Sequence, residues 1–138
     1  MPLRVLIVED NNDFRKIVKE YLKCQTDIGD IYEASTGEMA VMKASLVQPD
    51  VILMDIHLPK ANGIETARQI KADHPKCDII VLTMFETAGA KKFFQKEYIA
   101  DFIGKSELYD RLIPVLKKCL QKNRGIDEIG SSSKGDED

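Results

Sequence analysis

The apolar positions gather into five short runs, and between them hydrophobic residues return at helical spacing. Leu3 to Val8 is interrupted only by Arg4, the pattern of a parallel strand covered on both faces. Behind it Phe14, Ile17, Val18, Tyr21 and Leu22 recur every three or four residues, which predicts a helix whose stripe packs on a sheet. Ile31 to Ala34 is mixed in polarity and suits an edge strand. Thr36 then stands where it can cap a helix carrying Met39, Ala40, Val41 and Leu46. Val51 to Met54 is wholly apolar, hence central. The Asn62-Gly63 pair could open a hairpin, but no alternating strand follows. Ile64, Ala67 and Ile70 instead continue as a helix.

Ile79 to Leu82 forms another buried strand, a helix from about Ala88 to Lys96 carries Phe93 and Phe94, and Ala100 to Ile103 makes a brief fifth strand. Ser106 is placed to cap a last helix with Leu108, Leu112, Val115, Leu116 and Cys119 on one face. Pro114 interrupts that helix. An interior proline costs about 3 kcal/mol, so a kink or an effective start near Pro114 is expected. From Arg124 the chain turns polar, so residues 1–123 read as one domain and 124–138 as a flexible tail. Because the tail ends in acids and not in another periodic segment, a stand-alone domain is favoured over the start of a linker. Strands alternating with helices predict an α/β fold with a parallel sheet.

In such a sheet the carboxyl ends of the strands open on one crevice, where ligands bind. Glu9 and Asp10 follow the first strand, Asp55 ends the third, Thr83 the fourth and Lys105 the fifth. Crowded carboxylates repel unless a hard cation neutralises them, and Mg²⁺ is held by one or two carboxylates with waters and phosphate oxygens. A phosphoryl group there needs donors on its outer oxygens, which Lys105 and the Thr83 hydroxyl can supply. Asp55, the only acid at the end of its strand, is the natural nucleophile. Each residue alone has a plainer reading: strand-end acids cap helices, lysines sit in water, threonines fill strands. Their joint placement favours the functional one.

The motifs VLIVEDN, ILMDIHLPKANG, IIVLTMFE and DFIGKSE, spread over about residues 3–122, together resemble the receiver domain of two-component response regulators. The resemblance implies a flavodoxin-like (βα)5 three-layer sandwich with strand order 2-1-3-4-5. It implies phosphoryl transfer onto Asp55 from a histidine kinase or histidine phosphotransfer protein, with Thr83 and Lys105 at the site. It also implies a Mg²⁺ site of Glu9, Asp10, Asp55 and the backbone carbonyl of His57, and slow self-dephosphorylation with His57 and Phe85 beside the route for water. On this reading the chain is a signalling phospho-acceptor that switches conformation for an output partner, and not a dedicated enzyme. The resemblance has Thr83 move toward the phosphoryl oxygen while Phe102 turns inward, and leaves room for a homodimer on activation. Met84, bulkier than the usual small residue after the threonine, is similar to receivers that often precede helix-turn-helix output domains. Lys105 precedes Ser106 and not proline, so a trans bond is expected. Two alternatives stand beside this reading: the receiver fragment of a DNA-binding transcriptional regulator, and an interaction module that works without phosphorylation.

Composition narrows the remaining classes. A net charge of −3 offers no electrostatic footprint for nucleic acid, so direct contact with it is not expected. No apolar run nears the roughly 20 residues that span a bilayer, and the N-terminus enters a strand without a signal-peptide pattern; a cytoplasmic protein without membrane contact is expected. Cys24, Cys77 and Cys119 lack C-x-x-C spacing and read as free thiols, while His57 and His74 have no ligand-like partners. Gly104-Lys105-Ser106 looks like the end of a phosphate-binding loop, but Ile99 stands where its first glycine is required. A haloacid-dehalogenase-type phosphatase would have a second aspartate two residues after Asp55, where this chain has His57.

Overall fold

Each apolar run becomes a strand of one parallel sheet in the computed structural model, which describes residues 2–56, 63–84 and 99–132, with side chains through residue 122. The strands are β1 (Leu3–Val8), β2 (Ile28–Ala34), β3 (Val51–Asp55), β4 (Asp78–Thr83) and β5 (Asp101–Gly104), in the order β2-β1-β3-β4-β5. The helices among the described residues are α1 (Asn12–Lys23), α2 (Gly37–Val47), α3 (Gly63–Asp73) and α4 (Leu108–Ser132). The helix expected near residues 88–96, Phe85 and His57 lie outside the described residues.

Side chains of a strand alternate between faces, and here both faces are covered. Val5, Ile7, Leu53, Leu82 and Ile103 pack with Val18 and Leu22 of α1 and with Leu112, Val115 and Leu116 of α4. Leu6, Val8, Ile52, Met54 and Ile79 pack on the other face with Ala40 and Ala44 of α2 and Ala67 and Ile70 of α3. This three-layer arrangement is why the central strands read as unbroken apolar runs. Two helix starts follow from single side chains: Asn11 Oδ1 accepts from the Phe14 N–H at 2.8 Å, and Thr36 Oγ1 from the Met39 N–H at 3.1 Å.

Three local expectations change. β2 begins at Ile28, because the parallel ladder to β1 already pairs Ile28 with Leu3 and resumes at Ile31 opposite Val5, across an irregularity at Gly29 and Asp30 whose polarity hid the start of the strand. Ser106 does not cap the last helix; it lies in a 3₁₀ turn, Lys105–Glu107, where the Glu107 carboxylate accepts from the Gly104 N–H at 3.2 Å. Helix α4 starts at Leu108, so Pro114 is inside it and not at its start. Buried Leu108 and Leu112, with Arg111 donating to the Phe102 carbonyl at 2.7 Å, fix the turns ahead of the proline and outweigh its local cost. Helix α4 runs on to Ser132. Extending an anchored helix gains one hydrogen bond per residue fixed. Among the described residues no helix is long and apolar enough to cross a membrane, and all three cysteines are free.

Helix α2 ends on Gln48 in the left-handed region, at φ 48°. A side chain there is strained by about 1 kcal/mol or more, and Gln48 is exposed, so nothing is lost by removing it. Gln48→Gly should stabilise the protein by about 0.5 kcal/mol once the looser unfolded chain is counted. A urea midpoint at or below that of the wild type would contradict this.

Candidate functional site

The turn from β1 into α1 displays the acidic pair. The Glu9 N–H still donates to the Ala34 carbonyl at 3.0 Å, as if the strand ran one residue further. The Glu9 side chain therefore points into the protein, fully buried, and its Oε2 accepts from the Asn11 N–H at 3.1 Å. Asp10 faces solvent, while Asp55 at the end of β3 is 4% exposed. One carboxylate oxygen from each of Glu9, Asp10 and Asp55 lies within 4.8 Å of the others. In the ladder Asp55 stands beside Leu82 and Thr83 beside Gly104, so buried Thr83 and then Lys105 extend the same edge.

Lys105 closes the group. Its Nζ lies 2.9 Å from Glu9 Oε1, 3.2 Å from Asp55 Oδ2 and 4.8 Å from the centre of the Phe14 ring. Burial would lower the Lys105 pKa, but its close ion pair with Glu9 and the charge of Asp55 prevail and raise it. Burial also pushes the Glu9 carboxyl above its ordinary range, against Lys105 and the Asn11 amide, with the charge of Asp55 adding to the push.

The donor set suits a hard divalent cation on one observation in particular. Glu9 Oε1 is buried and has no well-directed hydrogen bond, although the Lys105 ammonium is close enough to attract it as an ion. An under-served buried carboxylate oxygen beside two further carboxylates is an oxygen-only ligand set of the kind Mg²⁺ prefers. His57, whose carbonyl the resemblance adds to that set, lies outside the described residues.

Two features were not legible as functional. Phe14 was placed on the packing stripe of α1, yet its ring faces the Lys105 ammonium, a cation–π contact that desolvates the lysine without taking its hydrogen bonds. Gly63 was read as half of a turn signal, but its role is steric: its N–H donates to the Ile56 carbonyl at 3.3 Å, and a Cβ there would sit 2.5 Å from Ile56 Cα and 2.8 Å from the Asp55 carbonyl oxygen. Helix α3 thus starts directly against the backbone of Asp55. Phe102 is 3% exposed and packs with Ile56, Val81 and Ile99. A phenyl ring has no hydroxyl to keep wet, and burying it carries no polar cost. The Lys105–Ser106 bond is trans.

The family model for the response regulator receiver domain matches residues 5–117. The chain belongs to this receiver family. Among curated relatives, a protein-glutamate methylesterase/protein-glutamine glutaminase of Nocardioides is 33% identical over 137 residues, covering 90% of this receiver chain and 37% of that protein. The response regulator protein VraR of Staphylococcus saprophyticus is 36% identical over 85 residues, 62% of the chain and 41% of that protein. The response regulator domain of Thermotoga maritima CheB superposes with a TM-score of 0.71 at 30% identity, covering 88% of this chain and 96% of that one. The receiver thus spans about two fifths of the length of these curated relatives.

Proposed function

We propose that this receiver accepts a phosphoryl group on Asp55 from a phosphohistidine of a histidine kinase or phosphotransfer protein, and signals the change to an output partner. What supports this most is the pairing of Asp55 Oδ2 with Lys105 at 3.2 Å inside a group of three carboxylates. An Asp55 oxygen forms the new bond to phosphorus as the bond to the histidine nitrogen breaks and that nitrogen keeps the electron pair. Lys105 neutralises the acceptor and the incoming oxygens, and Thr83 at the neighbouring strand end offers a hydroxyl to one of them. Glu9, Asp10 and Asp55 are the residues to hold Mg²⁺, with the His57 carbonyl; bound there, the ion supplies charge neutralisation and alignment. Such transfers are largely dissociative, so alignment and charge are most of what the protein contributes.

We place the working domain in residues 1–123. A second reading, the receiver portion of a longer regulator, of which a DNA-binding one is a single case, draws on one fact: the chain spans 41% and 37% of two curated relatives. The proposed chemistry is the same in both.

Incubation with a small acyl-phosphate donor and Mg²⁺ should add the mass of one phosphoryl group to the intact protein, and EDTA should abolish the addition. Three carboxylates within 4.8 Å cannot receive an anionic donor unaided. Labelling undiminished by EDTA would remove the cation from the proposal, and no labelling in either condition would favour the phosphorylation-independent module.

A further inference from the structure

Arg15 carries a positive charge in the first turn of α1, the end of a helix where the macrodipole disfavours cations. All three nitrogens of its guanidinium are engaged. Nη1 donates to the Glu9 carbonyl at 2.6 Å, Nη2 to Asn12 Oδ1 at 2.7 Å, and Nε to Glu33 Oε1 at 3.0 Å. Glu33, on edge strand β2, takes its second bond from Lys19 Nζ at 2.8 Å. The backbone of Glu9 is therefore fixed from both sides, its N–H by Ala34 and its carbonyl by Arg15.

We infer that Arg15 is a positioning residue for the cation site: anchored on Glu33, it holds the Glu9 carbonyl so that the Glu9 and Asp10 carboxylates stay aimed at Asp55. The inference rests on the reading of Glu9, Asp10 and Asp55 as that site. The physical need is plain. Three carboxylates within 4.8 Å push one another apart when no cation is bound, and the turn that carries two of them ends in exposed Asp10. A planar fork that ties strand β2, the Glu9 carbonyl and the start of α1 resists that spreading; a lysine could reach only part of it. Partners one step behind metal ligands change affinity about 10- to 100-fold when removed.

The sign of the effect separates positioning from simple electrostatics. Removing a nearby positive charge should by Coulomb's law tighten the binding of Mg²⁺, whereas loss of positioning should weaken it. Titration of Mg²⁺ into the full chain, followed by the backbone amide shifts of Asp10 and Asp55, reads the affinity without any reaction. Arg15→Gln is expected to weaken binding about tenfold. Lys19→Gln, which removes an equal charge and another partner of Glu33 but touches neither Glu9 nor Asn12, is expected to leave it near the wild-type value. If Arg15→Gln does not fold, Arg15→Lys, which keeps the charge, should still bind more weakly than wild type. Equal or tighter binding by Arg15→Gln, or equal weakening by Lys19→Gln, overturns the inference while leaving the cation site standing. A wild-type protein whose Asp10 and Asp55 amides do not respond to Mg²⁺ overturns both.

Discussion

Asp55→Asn protein should take up no phosphoryl group from an acyl-phosphate donor under conditions that label the wild type. The amide matches the carboxylate in shape but has no anionic oxygen to attack phosphorus, and it withdraws one of the three charges grouped there. The fold should survive the exchange, because Lys105 keeps Glu9 Oε1 at 2.9 Å as its counter-charge and the crowding of Glu9 by Asp55 is relieved. A melting curve near that of the wild type together with an unchanged intact mass is therefore the expected pair of results. Equal labelling of the two proteins would take the acceptor role from Asp55. Glu9 and Asp10 would then be the next candidates, and peptide mapping would find the modified one.

The sequence made the sheet legible because a parallel strand with helices on both faces has no polar side to confuse it. β1, β3 and β4 announce themselves in this way. The order of the strands is not contained in periodicity and came only with the resemblance. The site was legible for a related reason: a parallel sheet gathers its strand ends on one edge, so the sequence alone brings Glu9, Asp10, Asp55, Thr83 and Lys105 together. What stayed hidden depends on contacts between distant elements. The reach of Arg15 to Glu33 and the approach of the Phe14 ring to Lys105 leave no mark in spacing. The start of α4 ahead of Pro114 reflects buried Leu108 and Leu112, a tertiary gain that local propensity does not register.

The backbone contact at Gly63 gives the other large expected effect. A methyl group added there meets Ile56 Cα at 2.5 Å and the carbonyl oxygens of Asp55 and Ile56 at 2.8 Å, all main-chain atoms with no rotamer to change. Either α3 moves outward, pulling buried Ala67 and Ile70 from their contacts, or the end of β3 moves and carries Asp55 away from Lys105. Overpacking of this kind costs about 2 kcal/mol, which for a domain of this size lowers the melting midpoint by roughly 8 °C. Gly63→Ala should therefore lose stability and phosphorylate more slowly, the two together, since the same displacement causes both. Gly29→Ala is the control. Its added carbon meets Pro2 Cβ at 3.1 Å on an exposed edge strand, far from the carboxylates, and should leave phosphorylation unchanged. A Gly63→Ala protein that melts and phosphorylates like the wild type would show that the α3–β3 contact has slack, and that the position of Asp55 is set by the sheet alone.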